Sequence, residues 1–113
     1  MSQFAPIIGA VTRHRGVQAC LVVAEEDGII VDGTAHVGVG SSAFAALTAS
    51  LYRKAGRAAE SAGFGAVSYF ELEAERGRVC AAGRHGLVVV AVAEPRVNIG
   101  LLRVELLRAA ETL

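Results

Sequence analysis

Charge of either sign is not in excess here: 11 basic and 11 acidic side chains leave a formal net charge of zero. That balance excludes the broad basic footprint of a nucleic-acid-binding domain. No apolar run reaches the ~18 residues of a membrane-spanning helix, and none is expected. The start of the chain has no basic region leading into an apolar segment, so a secretory signal is not expected and the protein is read as cytoplasmic. Cysteine is scarce. Cys20 and Cys80 both lie inside apolar runs, where a thiol serves as a small core hydrophobe, and no disulfide is expected. His14, His36 and His85 have no ligand spacing to one another or to the cysteines, so no metal is expected either. Catalytic signatures are missing too: the chain has no G-x-S-x-G elbow and no G-x-x-x-x-G-K-[ST] phosphate loop. Glu25, Glu26 and Asp27 are adjacent in a turn, which is a surface feature before it is an acid–base pair. The residues therefore predict no catalytic group, no cofactor and no enzyme.

What the chain does have is apolar surface. Hydrophobic residues make up 53% and charged residues 19% of 113 positions. A chain of this length is expected to form one domain over 1–113 with its own core, leaving apolar area for something else to cover. Phe4, Ile7, Ile8 and Val11 fall at helical spacing over 2–15, with Ser2 as cap, Pro6 in the tolerant first turn and Gly16 as stop. The period then changes. Residues 18–24 and 29–34 read as strands joined by the turn Glu25-Glu26-Asp27-Gly28, a hairpin signal. Strand 66–72 sets Val67, Tyr69 and Glu71 against Ser68, Phe70 and Leu72. A turn around Arg76-Gly77 leads to strand 78–83. Leu87 to Val92 is apolar on both faces and reads as a central strand, ended by Pro95. Asn98 caps a closing helix with Ile99, Leu102, Leu106 and Ala109 on one stripe. The order is α-β-β-α-β-β-β-α. Short links make the strands antiparallel, and pattern alone favours helices mainly on one face of one sheet.

Between the two groups of strands lies the longest helical pattern, Ser41 to Ala62. Phe44, Leu47, Leu51, Ala55, Ala58 and Ala62 trace one face, and Ala45, Ala49, Tyr52, Gly56 and Ala59 a second. The first face is expected to meet the sheet. The second is surplus, and strand 66–72 would also need cover if it lies at the sheet edge. A symmetric dimer covers both at once. The entry Gly38-Val39-Gly40-Ser41-Ser42-Ala43 fits a loose dinucleotide fingerprint, with Glu60 ~20 residues on. The antiparallel pairs argue against the parallel unit it requires, so a turn and helix cap is the better reading. Arg53, Lys54 and Arg57 form a basic cluster that is either a solvated face, an anion site or a contact for an acidic partner.

The chain resembles the roadblock/dynein light chain domain family. The likeness is carried by Gly16-Val17 before the first strand, the hairpin CLVVAEEDGIIVDG and the segment GLVVVAVAEPRVNIGLLRVEL. It implies an α/β sandwich (α+β): a five-stranded antiparallel sheet with the long helix on one face and the two terminal helices on the other. It also implies a homodimer, or a heterodimer with another roadblock protein, joined through the long helix and the strand after it. The expected interface residues are Ala45, Ala49, Tyr52, Gly56, Val67, Tyr69 and Glu71. Members of the family, bacterial mutual gliding protein B among them, regulate or dock small Ras-like GTPases, or serve as adaptors in motor, sensor-kinase or signalling complexes without affecting nucleotide hydrolysis. By position on the helix, Arg53, Lys54, Arg57 and Glu60 are the residues expected to meet such a GTPase. A small-molecule sensor with a pocket beside a glycine-rich loop is a third reading.

Overall fold

The structure is a computed structural model describing residues 3–35 and 41–113. Its elements are α1 (Ala5–Thr12), β1 (Val17–Ala24), β2 (Ile30–Ala35), α2 (Ser41–Ser61), β3 (Phe70–Ala74), β4 (Gly77–Arg84), β5 (Leu87–Ala93) and α3 (Ile99–Glu111). The strands form one sheet in the order β2-β1-β5-β4-β3, with every neighbouring pair antiparallel. The expected element order is met. The apolar strand at 87–93 lies in the middle of the sheet, as its two apolar faces require. The dinucleotide reading fails on topology, because the strands before and after α2 lie at opposite edges. Gly38 to Gly40 of that fingerprint, with Ser2 and His36, lie outside the described residues.

Two cores sandwich the sheet. On one face α1 and α3 bury Phe4, Ile8, Val11, Leu102 and Leu106 against Cys20, Val22, Cys80, Val89 and Ala91. On the other, α2 buries Ala45, Ala49 and Tyr52 against Leu21, Val23, Ala81, Val88 and Val90. Strand alternation sends neighbours such as Val22 and Leu21 to opposite cores. The one-sided arrangement favoured by pattern alone is thus corrected, and the two-sided one is found. Among the described residues, no helix is long and apolar enough to cross a membrane.

The ends of the elements follow local chemistry. Asn98 caps α3 by accepting the Leu101 amide at 3.2 Å. The last turn of α2 closes with Gly63 N donating to Glu60 O at 3.0 Å and Phe64 N to Ala59 O at 2.8 Å, the paired bonds of a Schellman stop. Two sequence boundaries shift. α1 is shorter than 2–15, because Arg13 already closes it at the C-terminal end. The strand expected at 66–72 is ordered as a strand only from Phe70, since the carbonyl of Val67 is engaged by Tyr52 and not by a neighbouring strand.

The β1–β2 turn packs closely against α2 at Gly28. Asp27 Oδ1 accepts the Ile29 amide at 3.0 Å, and Gly28 follows with φ +73°. A Cβ on Gly28 would lie 2.7 Å from Ala46 Cα, so the position is closed to any side chain by α2 as well as by backbone conformation. Gly86 has a similar φ of +77° but open space around it. Gly86→Ala should therefore lose only the left-handed penalty, about 1–2 kcal/mol. Gly28→Ala should lose a further 1–3 kcal/mol or about that from overpacking. Urea denaturation of the two variants checks this, and equal losses would show that α2 does not press on the turn.

Candidate functional site

Of the face of α2 expected to meet the sheet, Phe44 packs against the core there, but Leu47 and Leu51 do not, and the face expected to be surplus is the buried one. Ala45 and Ala49 are fully buried and Tyr52 is 5% exposed, whereas Leu47 is 65% and Leu51 41% exposed. The cause is distance. Small side chains let the helix lie close on the sheet, and a face of leucines would have held it away. Tyr52 is the exception in size. It tolerates burial because its hydroxyl donates to Val67 O at 2.8 Å and its ring packs at Gly83, where a Cβ would come within 2.9 Å of the hydroxyl oxygen. Ala45, Ala49 and Tyr52 are therefore consumed inside the chain and cannot be contact residues for a second subunit. The outward stripe is Leu47, Leu51, Lys54 and Ala58, all exposed.

Beside this stripe the sheet is only partly covered. α2 lies mainly across β1, β2 and β5. β3 is an edge strand, and Leu72 on it pairs with Val79. Phe70 and Val79 are only partly buried against the α2-side core, and Leu72 is 40% exposed. Phe64, in the link from α2 to β3, is 83% exposed. Leu47, Leu51, Phe64 and Leu72 are thus large apolar side chains that no described element covers.

The remaining interface candidates separate. Gly56 and Val67 line a cavity described below. Tyr69 and Glu71 are on the α1/α3 side: Tyr69 packs against that core, lies 5.3 Å beneath the Arg103 guanidinium and donates to Glu71 Oε1 at 3.2 Å. Arg78 pairs with Glu71 at 3.2 Å and also with Glu73, so the carboxylates of the edge strand are neutralised within the chain.

The basic cluster of α2 is also split. Lys54 is on the outward stripe. Arg53, Arg57 and Glu60 turn toward a cavity of about 590 Å³ between the C-terminal half of α2, the link at 65–67 and the β4–β5 turn. Arg53 Nη1 donates to Glu25 O at the tip of the β1–β2 hairpin. Arg84 and His85, on the far wall, are held by the carbonyls of Glu111 at 3.0 Å and Leu113 at 3.1 Å. Arg57 and Glu60 have no partner among the described residues. Sequence reasoning found the arginines but not the cavity, because its walls come from four segments far apart in the chain.

Cys20 and Cys80 are both fully buried. Each pairs with Ala91 across β5, which puts them two strand spacings apart, ~9.5 Å, beyond the ~7 Å reach of a disulfide. Burial pushes the Cys20 thiol from 9.0 up to about 12 and raises Cys80. It also raises Tyr52 and Tyr69.

A five-stranded antiparallel sheet between one long helix and two terminal helices is the fold of the roadblock/LC7 domain. Solved structures share it, among them the following three. The roadblock/LC7 domain of Streptomyces avermitilis superposes with a TM-score of 0.86 at 17% identity, over 98% of this chain and 94% of that one. MglB of Myxococcus xanthus gives 0.82 at 17% identity over 97% and 93%. An MglB with tetrameric arrangement gives 0.83 at 19% identity over 96% and 82%. In sequence, the chain is 25% identical to the uncharacterized protein MJ1340 of Methanocaldococcus jannaschii over 99 residues, 88% of this chain and 86% of that protein. No family model matches the sequence.

The two buried thiols, buried Tyr52 and half-buried Tyr69 hold their protons more tightly folded than unfolded. Their contribution to stability is complete below the unfolded values of 9.0 and 10.0 and is lost as pH rises through the folded ones. Urea midpoints should fall progressively above about pH 9. At pH 8 a thiol reagent should titrate neither cysteine in the native protein and both in denaturant; rapid labelling of the native protein would contradict the burial.

Proposed function

We propose that this protein is a non-catalytic, dimeric docking module whose partner is a small Ras-like GTPase, acting on the GTPase's hydrolysis by ordering its switch loops. The observation that carries the reading is the uncovered apolar surface formed by Leu47 and Leu51 on α2, Phe64 in the link after it and Leu72 on the edge strand. A two-fold axis through this surface would set α2 of one copy beside α2 of the other. It would pair β3 with its symmetry mate, so that one sheet runs through ten strands and neither β3 edge stays open. The paired helices then present Lys54 as the charged rim of a partner surface, while Arg57 and Glu60 turn to the cavity. Arg53 takes a supporting part, since its guanidinium is tied to the hairpin. Support comes from the fold shared with the MglB structures, one of which has a tetrameric arrangement, and from the roadblock resemblance, which implies a GTPase as partner. Acting as an adaptor without effect on hydrolysis is the alternative that the assay below separates.

Light scattering should give twice the chain mass of 11.7 kDa. Leu51→Glu and Leu72→Lys should each yield folded monomers, with stability changed by no more than about 0.5 kcal/mol because both sites are exposed. Lys54→Glu should keep the dimer and weaken the GTPase. Turnover by a Ras-like GTPase from the same cell, measured with and without this protein, decides between regulator and adaptor: tight binding with unchanged turnover favours the adaptor. A wild-type monomer at micromolar concentration would refute the dimer.

A further inference from the structure

Gly56 sits in the interior of a 21-residue helix, where glycine costs about 1 kcal/mol relative to alanine. A helix interior usually accepts that loss so that a neighbour can approach, as β4 does at Gly83, where a Cβ would meet the Tyr52 ring and hydroxyl at 2.9–3.0 Å. At Gly56 there is no such neighbour: a Cβ would meet nothing within 4 Å. The missing side chain opens directly into the cavity beneath α2, and so do Gly65 and Gly86, whose added Cβ atoms would also meet nothing. The absent side chain of Gly56, beside the left-handed Gly65 (φ +84°) and Gly86 (φ +77°), thus borders an open space of about 590 Å³, within the ~300–1,000 Å³ of small-molecule sites.

The chemistry of the walls is uneven. Arg53, Arg84 and His85 are each occupied by a backbone carbonyl. Arg57, one residue beyond Gly56, has no partner. It does not pair with Glu60, although residues three apart on a helix are within reach of each other. The amides of Gly65 and Ala66, in the link that lines the same cavity, donate to no described residue. An unpartnered guanidinium and unpartnered amides along one recess are donors an oxyanion can use, and a planar guanidinium holds one through two parallel hydrogen bonds. Glu60 and Glu25 at the rim call for donor groups on the same ligand.

We propose that this cavity binds a small polar metabolite carrying a phosphate or carboxylate group, gripped by Arg57, with hydroxyl or amino groups turned to Glu60. The site is separate from the apolar surface assigned to self-association and does not rest on that assignment. A bound ligand would bridge α2 to the β4–β5 turn and so stabilise the chain.

The test uses the full chain and two probes, sodium pyrophosphate and citrate, each titrated against sodium chloride of equal ionic strength in thermal unfolding and calorimetry. At least one probe should give a saturable rise in melting temperature that the chloride does not, and which of the two does so separates phosphate from carboxylate. Arg57→Gln should weaken that binding roughly ten-fold or more. Gly56→Leu should abolish it while melting no lower than wild type, because leucine is the better helix former and has open space to fill. Absence of a saturable response to both probes overturns the proposal. So does binding that survives Gly56→Leu or Arg57→Gln, and so does a Gly56→Leu variant that melts lower, since the space would then not be free.

Discussion

The close seating of α2 on the sheet is the constraint from which the rest of the molecule follows. Ala45 and Ala49 let the helix approach the strands, and Gly28 removes the one side chain that would stop the β1–β2 turn from meeting Ala46. Once the helix lies that close, its inner face has no room for leucine. Leu47 and Leu51 are forced outward, and a helix that looks amphipathic in the ordinary sense is inverted. The large apolar side chains are on the solvent side, where no described element covers them.

Tyr52 sets how the helix ends. It is the most deeply buried large residue under α2, and it reaches past the helix to hold Val67 O at 2.8 Å. That bond fixes the link between α2 and β3 in an irregular path and delays the strand to Phe70. The delay shortens β3 to five residues and leaves it at the edge, with Leu72 exposed and Phe70 and Val79 only partly buried. It also separates Val67, which stays on the α2 side, from Tyr69, which crosses to the α1/α3 side under Arg103. An unbroken strand from 66 would have kept both on one face.

This is also where the sequence stops being readable. Element order, the central apolar strand, the Asn98 cap and the β1–β2 turn are local signals, since each depends on residues a few positions apart. Assigning the helices to two faces needed the family resemblance, because alternation along a strand buried on both sides does not say which helix covers which face. The orientation of α2 is hidden from the sequence for a physical reason. Hydrophobic size ordinarily marks a buried face, but close helix–sheet packing selects small residues, so alanine and not leucine marks the inside here. The cavity was not readable at all. Its arginines stand out in the sequence, but the glycines and the turn facing them are brought together only by the fold.

The two surfaces of α2 have different physical requirements, and the helix meets them separately. The outward stripe is broad, apolar and carries one lysine, which suits a large partner that excludes water over an area. The inner C-terminal half is recessed and glycine-lined, with an unpaired guanidinium, which suits a small ligand surrounded on several sides. Arg53 connects them: it belongs to the helix that carries the stripe, lines the recess, and is latched to the hairpin through Glu25 O. A molecule filling the recess would hold that latch in place and stiffen the C-terminal half of α2, whose outer side carries Lys54 and Ala58. Occupancy of the inner surface would therefore lower the entropy lost when the outer surface engages a partner. Coupling of this kind requires no change of shape, only that both surfaces share one rigid helix.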